Sequence, residues 1–174
     1  MSSPKEAIVI SIVVLNFNTL DLLQQCLAHL SSLALELTVE TLVVDNASTD
    51  GSREWLQSHG EAADRVILLD SNLGFAGGCN AGIRQACGDY ILLLNTDAFP
   101  EPSALDTLVS YAERNLRVGV AGPQLLFPDG RWQRSSGLVP SPTIAMLDAL
   151  GVTSVGHVLQ ALSWPLMRRF ARPR

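Results

Sequence analysis

Four short apolar runs, each closing on an amide or a carboxylate, constrain this chain more than any other feature. Residues 8–17 (IVISIVVLNF), 41–45 (TLVVD), 65–70 (RVILLD) and 90–95 (YILLLN) are almost continuous in Val, Ile and Leu. A strand with one face in water alternates apolar and polar residues, whereas a strand covered on both faces is apolar throughout. Helical spacing fills the gaps between the runs. Leu20, Leu23, Leu27 and Leu30 recur on one helix face, with Thr19 or Asp21 placed to cap it. Ser48-Thr49-Asp50-Gly51 reads as a turn into a helix through Trp55 and Leu56, and residues 76–87 read as a helix stopped by Gly88. Pro100 and Pro102 open another helix, with Leu105, Leu108 and Ala112 on one side. Residues 118–127 read as a fifth strand, followed by the turn signal Pro128-Asp129-Gly130. Strand and helix in alternation predict an α/β fold, a mostly parallel sheet flanked by helices. The pattern weakens after Ser135, so a main domain is expected over residues 1–135 and a partial helical segment over 136–174.

A chain of 174 residues fits one domain and is long enough to bury about 70% of its unfolded surface. With 47% hydrophobic and 17% charged residues, a packed core is expected rather than disorder. The net charge of −5 argues against nucleic acid as partner, because binding phosphate backbones needs a basic face. Four of the twelve basic residues, Arg168, Arg169, Arg172 and Arg174, fall in residues 164–174 together with Trp164, Leu166, Met167 and Phe170. That tail would suit peripheral contact with an anionic membrane surface, or simply be a solvated helix end. Cys26, Cys79 and Cys87 form no CxxC pair and no metal-ligand spacing with the histidines. Sparse, odd cysteines without a leader segment point to reduced thiols and a cytoplasmic location.

In an open α/β sheet, ligands bind beyond the carboxyl ends of the strands. The polar residues collect there: Asn16-Phe17-Asn18, Asp45-Asn46, Asp70-Ser71-Asn72 and Asn95-Thr96-Asp97. Asn95 and Asp97 share side-chain parity along an extended chain, so both can face one cleft. Oxygen ligands of this kind suit Mg²⁺ or Mn²⁺ shared with phosphate and water; the same residues could instead cap the helix that follows. Asn72-Leu73-Gly74-Phe75-Ala76-Gly77-Gly78 places glycines at a strand-to-helix junction, where backbone can approach an anion or merely turn tightly. Asp45 can accept the imide N–H of a pyrimidine base, or cap the next helix.

Four segments together closely resemble family 2 glycosyltransferases, in the rhamnosyltransferase-like branch. They are Asn16-Phe17-Asn18, residues 44–52 (VDNASTDGS), residues 72–80 (NLGFAGGCN) and residues 93–97 (LLNTD). They stand in family order at family spacing. The resemblance implies a GT-A fold and an inverting, single-displacement transfer from a UDP- or dTDP-linked sugar to a glycan or lipid-linked acceptor, in polysaccharide biosynthesis. It implies that Asp45 contacts the base and that Asn16 and Asn18 line the nucleotide pocket. Asn72, Gly74 and Asn80 would shape the sugar-nucleotide loop. Asp97 would hold the divalent metal, with Asn95 where many members carry the first Asp of a DxD motif.

Members usually continue into a second segment with a Glu-Asp motif that includes the catalytic base. After Phe127 the only carboxylates are Asp129, in the turn, and Asp148, in a helical pattern, and neither reads as that base. The chain is therefore expected to be truncated or split, with a second chain supplying the acceptor half, or to be a nucleotide-sugar-binding remnant without turnover.

Overall fold

A computed structural model describes residues 10–35 and 37–133. Ile8, Val9, Asp148, the segment 136–174 and its basic tail 164–174 lie outside the described residues.

Four parallel strands form the central sheet: β1 (Ile10–Asn16), β2 (Val39–Asp45), β3 (Arg65–Leu68) and β4 (Tyr90–Asn95), in the order β3-β2-β1-β4. Helix α1 (Leu20–Ser32) joins β1 to β2, α2 (Ser52–Ser58) joins β2 to β3, α3 (Gly74–Ile83) joins β3 to β4, and α4 (Pro102–Arg114) follows β4. Strand β1 is apolar apart from Ser11 and Asn16, as suits a strand covered by helices on both faces. Ile10, Ile12 and Val14 pack with Leu23, Cys26, Leu27 and Leu30 of α1, Leu56 of α2, and Leu105 and Val109 of α4. Val13, of opposite parity, packs with Val44 and with Ala81 of α3. Helix α3 lies unusually close to the sheet, since a methyl group on Gly78 would strike Leu15 and one on Gly82 would strike Val13 and Val44.

Register carries the function. Asn16 pairs with Asp45, Leu15 with Asn95, and Asp45 with Leu68, so all four strands stop at one rim. The strand pattern read from the sequence is thus observed, with two differences. Helix α3 begins at Gly74, two residues before the expected start, and ends at Ile83. Residues 118–124 form no strand; only Leu125–Leu126 (β5) and Trp132–Gln133 (β6) pair, as an antiparallel hairpin around the Pro128–Gly130 turn. That hairpin belongs to a second compact unit, Gln124–Arg174, the first being Met1–Pro123. Its turn is held by Gly130 at φ +79° and by Asp129, whose carboxylate accepts from the Arg131 side chain at 2.6 Å.

Glu40 anchors the opposite end of the sheet. It is 4% exposed, and its Oε1 accepts from Ser11 Oγ at 2.5 Å and from the Cys87 N–H at 2.6 Å. Burial opposes its charge, but the Ser11 and Cys87 hydrogen bonds and the nearby Arg65 outweigh it and hold the carboxyl below its ordinary value of 4.5. A depressed folded-state pKa stabilises above the unfolded value, and that contribution is lost as pH falls through the folded value. We therefore expect Glu40→Gln to lower stability near neutral pH by about 1–3 kcal/mol. The gap to the parent should close below pH 4.5 in urea titrations; a gap independent of pH would refute the linkage.

Candidate functional site: the carboxyl rim of the sheet

The rim is built on a buried hydrogen-bond network centred on Asn16. Its Nδ2 donates to Asp45 Oδ1 at 2.9 Å and to Ser48 Oγ at 3.1 Å, and its Oδ1 accepts from Thr19 Oγ1 at 2.8 Å. Because Thr19 spends its one proton on Asn16, the 3.0 Å contact between Thr19 and Thr96 has the Thr96 hydroxyl as donor. The ends of β1, β2 and β4 are thereby locked together by side chains. Asp45 is fully buried, and its Oδ2 accepts from the Ser48 N–H at 3.0 Å. Asn16 is equally buried. Asn16 and Asp45 have no exposed surface in this structure, and their polar atoms are engaged inside the rim.

The loops after β1 and β2 are correspondingly strained. Asn18 (φ 53°) and Ala47 (φ 63°) both occupy the left-handed region, which Asn tolerates and Ala does at a cost of roughly 1–2 kcal/mol. Asn18 is exposed, and its Oδ1 accepts from the Thr49 N–H at 2.7 Å. Asp50, not Thr19 or Asp21, caps α1: its Oδ2 accepts from the Leu20 N–H at 2.9 Å, while Oδ1 accepts from Ser52 N and Oγ. Burial resists its ionisation, but these bonds from Ser52 and Leu20 prevail and lower its pKa.

On the β3 side, Asn46 does what sequence reading did not assign to it. Its Nδ2 donates to Asn72 Oδ1 at 2.9 Å and to the Gly74 carbonyl at 3.2 Å, and its Oδ1 accepts from the Leu73 N–H at 2.8 Å. Asn72 in turn accepts from the Gly74 N–H at 2.7 Å. Gly74, at φ +69°, lets the chain enter α3 with no Cβ in the way. Asn72, Gly74 and Asn80 are all exposed on this loop and the helix it opens.

At the end of β4 the backbone alternates as expected. Asn95 and Asp97 are exposed, Thr96 between them is buried in the network, and neither Asn95 nor Asp97 engages its side chain in a hydrogen bond among the described residues. Asp97 does not cap α4, whose first turn has Glu101 as its flanking residue and no side-chain cap. Its charge is felt by Cys26 of α1, whose thiol is pushed up to about 11 by burial first and by Asp97 second. One free carboxylate beside one free amide is a poor all-protein metal cage, and no cluster of three His, Cys, Asp or Glu occurs among the described residues. It does fit Mg²⁺ or Mn²⁺, which need only one or two carboxylates when phosphate and water complete the shell.

This rim sits within a match to the family model "Glycosyl transferase family 2" over residues 11–159. The chain belongs to glycosyl transferase family 2. Its relatives include the N-acetylglucosaminyl-diphospho-decaprenol L-rhamnosyltransferase of Mycobacterium tuberculosis, 30% identical over 145 residues, covering 76% of this chain and 46% of that one. The succinoglycan biosynthesis protein ExoO of Rhizobium meliloti is 32% identical over 124 residues, 70% of this chain and 35% of that one. The chain thus spans less than half the length of these relatives. Among solved structures, the mannosyltransferase PcManGT from Pyrobaculum calidifontis, in complex with GDP-Man and Mn²⁺, is 25% identical with a TM-score of 0.51 over 59% of this chain and 32% of that chain. TarS residues 1–349 from S. aureus, in complex with UDP-GlcNAc, match at 22% identity and TM-score 0.54 over 69% of this chain and 38% of that chain. The sheet and its helices are therefore those of the GT-A glycosyltransferases. No helix among the described residues is long and apolar enough to cross a membrane.

Proposed function

We propose that this chain carries the donor domain of an inverting glycosyltransferase that binds a UDP- or dTDP-linked sugar with Mg²⁺ or Mn²⁺ for transfer to a glycan or lipid-linked acceptor. The observation that carries this reading is the end of β4. The Asn95 and Asp97 side chains stand exposed and make no hydrogen bond among the described residues, on the rim where the Gly74 loop opens α3. Asp97 holds the metal, with Asn95 beside it as a neutral oxygen donor. When bound, the ion stabilises negative charge on the departing diphosphate as a Lewis acid. The backbone at Gly74 and the start of α3 approach the phosphates. Asn18, Asn72 and Asn80 offer exposed amides to the ribose and sugar hydroxyls. Asn16 and Asp45 act beneath them, keeping the strand ends in register.

The family membership and the complexes of PcManGT with GDP-Man and Mn²⁺ and of TarS with UDP-GlcNAc support a donor site at this rim. A second reading, binding without turnover, is favoured by Asp129, which is engaged by Arg131 and not poised as a base. Calorimetric titration with UDP and dTDP, with and without Mn²⁺, tests the proposal. Binding should require Mn²⁺ and weaken at least ~30-fold in Asp97→Ala, a loss of about 2 kcal/mol. Equal binding by the folded variant would remove Asp97 from the site. Release of sugar from the donor nucleotide would separate an enzyme from a binding module.

A further inference from the structure

The segment that carries Asp97 is fastened to α1 at two points, one on each side of that carboxylate. Upstream, Thr96 is buried and donates to Oγ1 of Thr19, the residue that precedes α1, at 3.0 Å. Downstream, the Pro100 carbonyl accepts from His29 Nε2, in the last turn of α1, at 2.9 Å. The half-buried His29 ring also stands edge-on to Phe99, with centroids 5.5 Å apart and planes at 88°. Between the two points the Ala98 N–H donates to the Asn95 carbonyl at 3.1 Å and closes a turn over Asp97. Cys26, one turn before His29 on the same face of α1, is the thiol that feels the Asp97 charge. The Asp97 side chain makes no hydrogen bond of its own among the described residues. The backbone from Thr96 to Pro100 therefore sets where its oxygens stand.

We propose that His29 is a positioning residue for the metal site, its bond to the Pro100 carbonyl fixing the β4–α4 connection against α1 so that the Asp97 carboxylate is held where it meets the ion; this rests on the donor-site reading above. Among the described residues no other side chain holds that connection on the α4 side of Asp97. Glu101, which flanks α4, makes no side-chain cap, and the Ala104 N–H returns only to the Glu101 carbonyl. A carbonyl only accepts, so His29 donates through a protonated Nε2. Helix α1 is a firm base for both anchors, because Leu23, Leu27 and Leu30 pack it into the core. Mg²⁺ demands a near-ideal octahedral shell, and a ligand displaced by as little as about 0.5 Å leaves the productive geometry. Groups one step behind a metal ligand typically account for about 10–100-fold in metal affinity.

The test reads Mn²⁺ binding rather than turnover. The Mn²⁺ concentration that half-saturates UDP binding to the full chain should rise at least ~10-fold in His29→Phe, which keeps a ring against Phe99 and loses the donor. His29→Gln, whose amide N–H₂ can serve the same carbonyl, should stay within a few-fold of the parent. General loosening of α1 would move both variants together, so the difference between them isolates the hydrogen bond. In the parent, nitrogen NMR of the His29 imidazole should show a protonated Nε2, a measurement that needs no variant and stands even where His29→Phe fails to fold. A parent-like Mn²⁺ dependence in His29→Phe, equal losses in the two variants, or a bare Nε2 would each overturn the proposal and leave the donor site standing. UDP binding by the parent that ignores Mn²⁺ would overturn the donor-site reading and this proposal with it.

Discussion

Gly88→Ala is expected to lower stability by about 3 kcal/mol, and to show that the start of β4 has no space for a side chain. A Cβ at Gly88 would stand 2.6 Å from the Ser11 amide nitrogen and 2.8 Å from the Ile10 carbonyl carbon. These are backbone atoms in the middle of the sheet, so no rotamer change relieves the clash. The Gly88 N–H also donates to Ser11 Oγ at 2.8 Å, and any shift of the strand stretches that bond and the Glu40 contacts beside it. Overpacking of this kind costs typically 1–3 kcal/mol, and lost buried hydrogen bonds add to it. At roughly 2–4 °C per kcal/mol for a domain of this size, the melting temperature should fall by about 6–12 °C. Gly60→Ala is the control: nothing lies within 4 Å of the added carbon. A Gly88→Ala variant as stable as Gly60→Ala would mean that β4 can slide, which the paired register with β1 does not allow.

Asp45→Ala is expected to cost a comparable amount, about 3 kcal/mol, and for a different reason. Removing the carboxylate strands two buried donors, Asn16 Nδ2 and the Ser48 N–H, each of which loses about 1–3 kcal/mol when left unsatisfied. Arg53 loses its buried counter-charge as well. Asp45→Asn keeps one acceptor for these donors and should recover about half of the loss. Thermal melts of the two variants, read beside nucleotide titrations, distinguish the roles in question. If Asp45→Asn restores stability and also restores UDP affinity, Asp45 acts through the rim it holds. Restored stability with affinity still lost would give Asp45 a direct contact with the nucleotide and require the loop at Ser48 to open.

These two expectations mark where reading the chain residue by residue stops. The helix stripe of α1, the apolar continuity of β1 and the exposed pairing of Asn95 with Asp97 are local: each follows from a 3.6- or 2-residue period, and each is observed. The cap of α1 was not legible, because Asp50 stands 30 residues from the Leu20 N–H it accepts. Nor was Glu40, whose partners Ser11 and Cys87 are 29 and 47 residues away. Asn46 and Ser48 lay inside a motif that was recognised, yet nothing in the motif says which of its polar residues point outward. Residues 118–127 have strand composition, but a strand needs a neighbour to accept its hydrogen bonds, and among the described residues 118–124 have none.

The sequence by itself determined the architecture and the location of the chemistry. Burial on both faces demands continuous apolar strands, and a parallel sheet brings the polar residues that end those strands to one rim. Only the tertiary structure decided what each of those residues does there. Asn16 and Asp45 became internal struts because register set them opposite each other with Ser48 closing over them. Asp97 stayed free because the hydroxyl network used Thr96 instead. Polar side chains at a strand end are chemically able to bind a ligand or to bind one another, and the choice depends on distances across the sheet that no local period records.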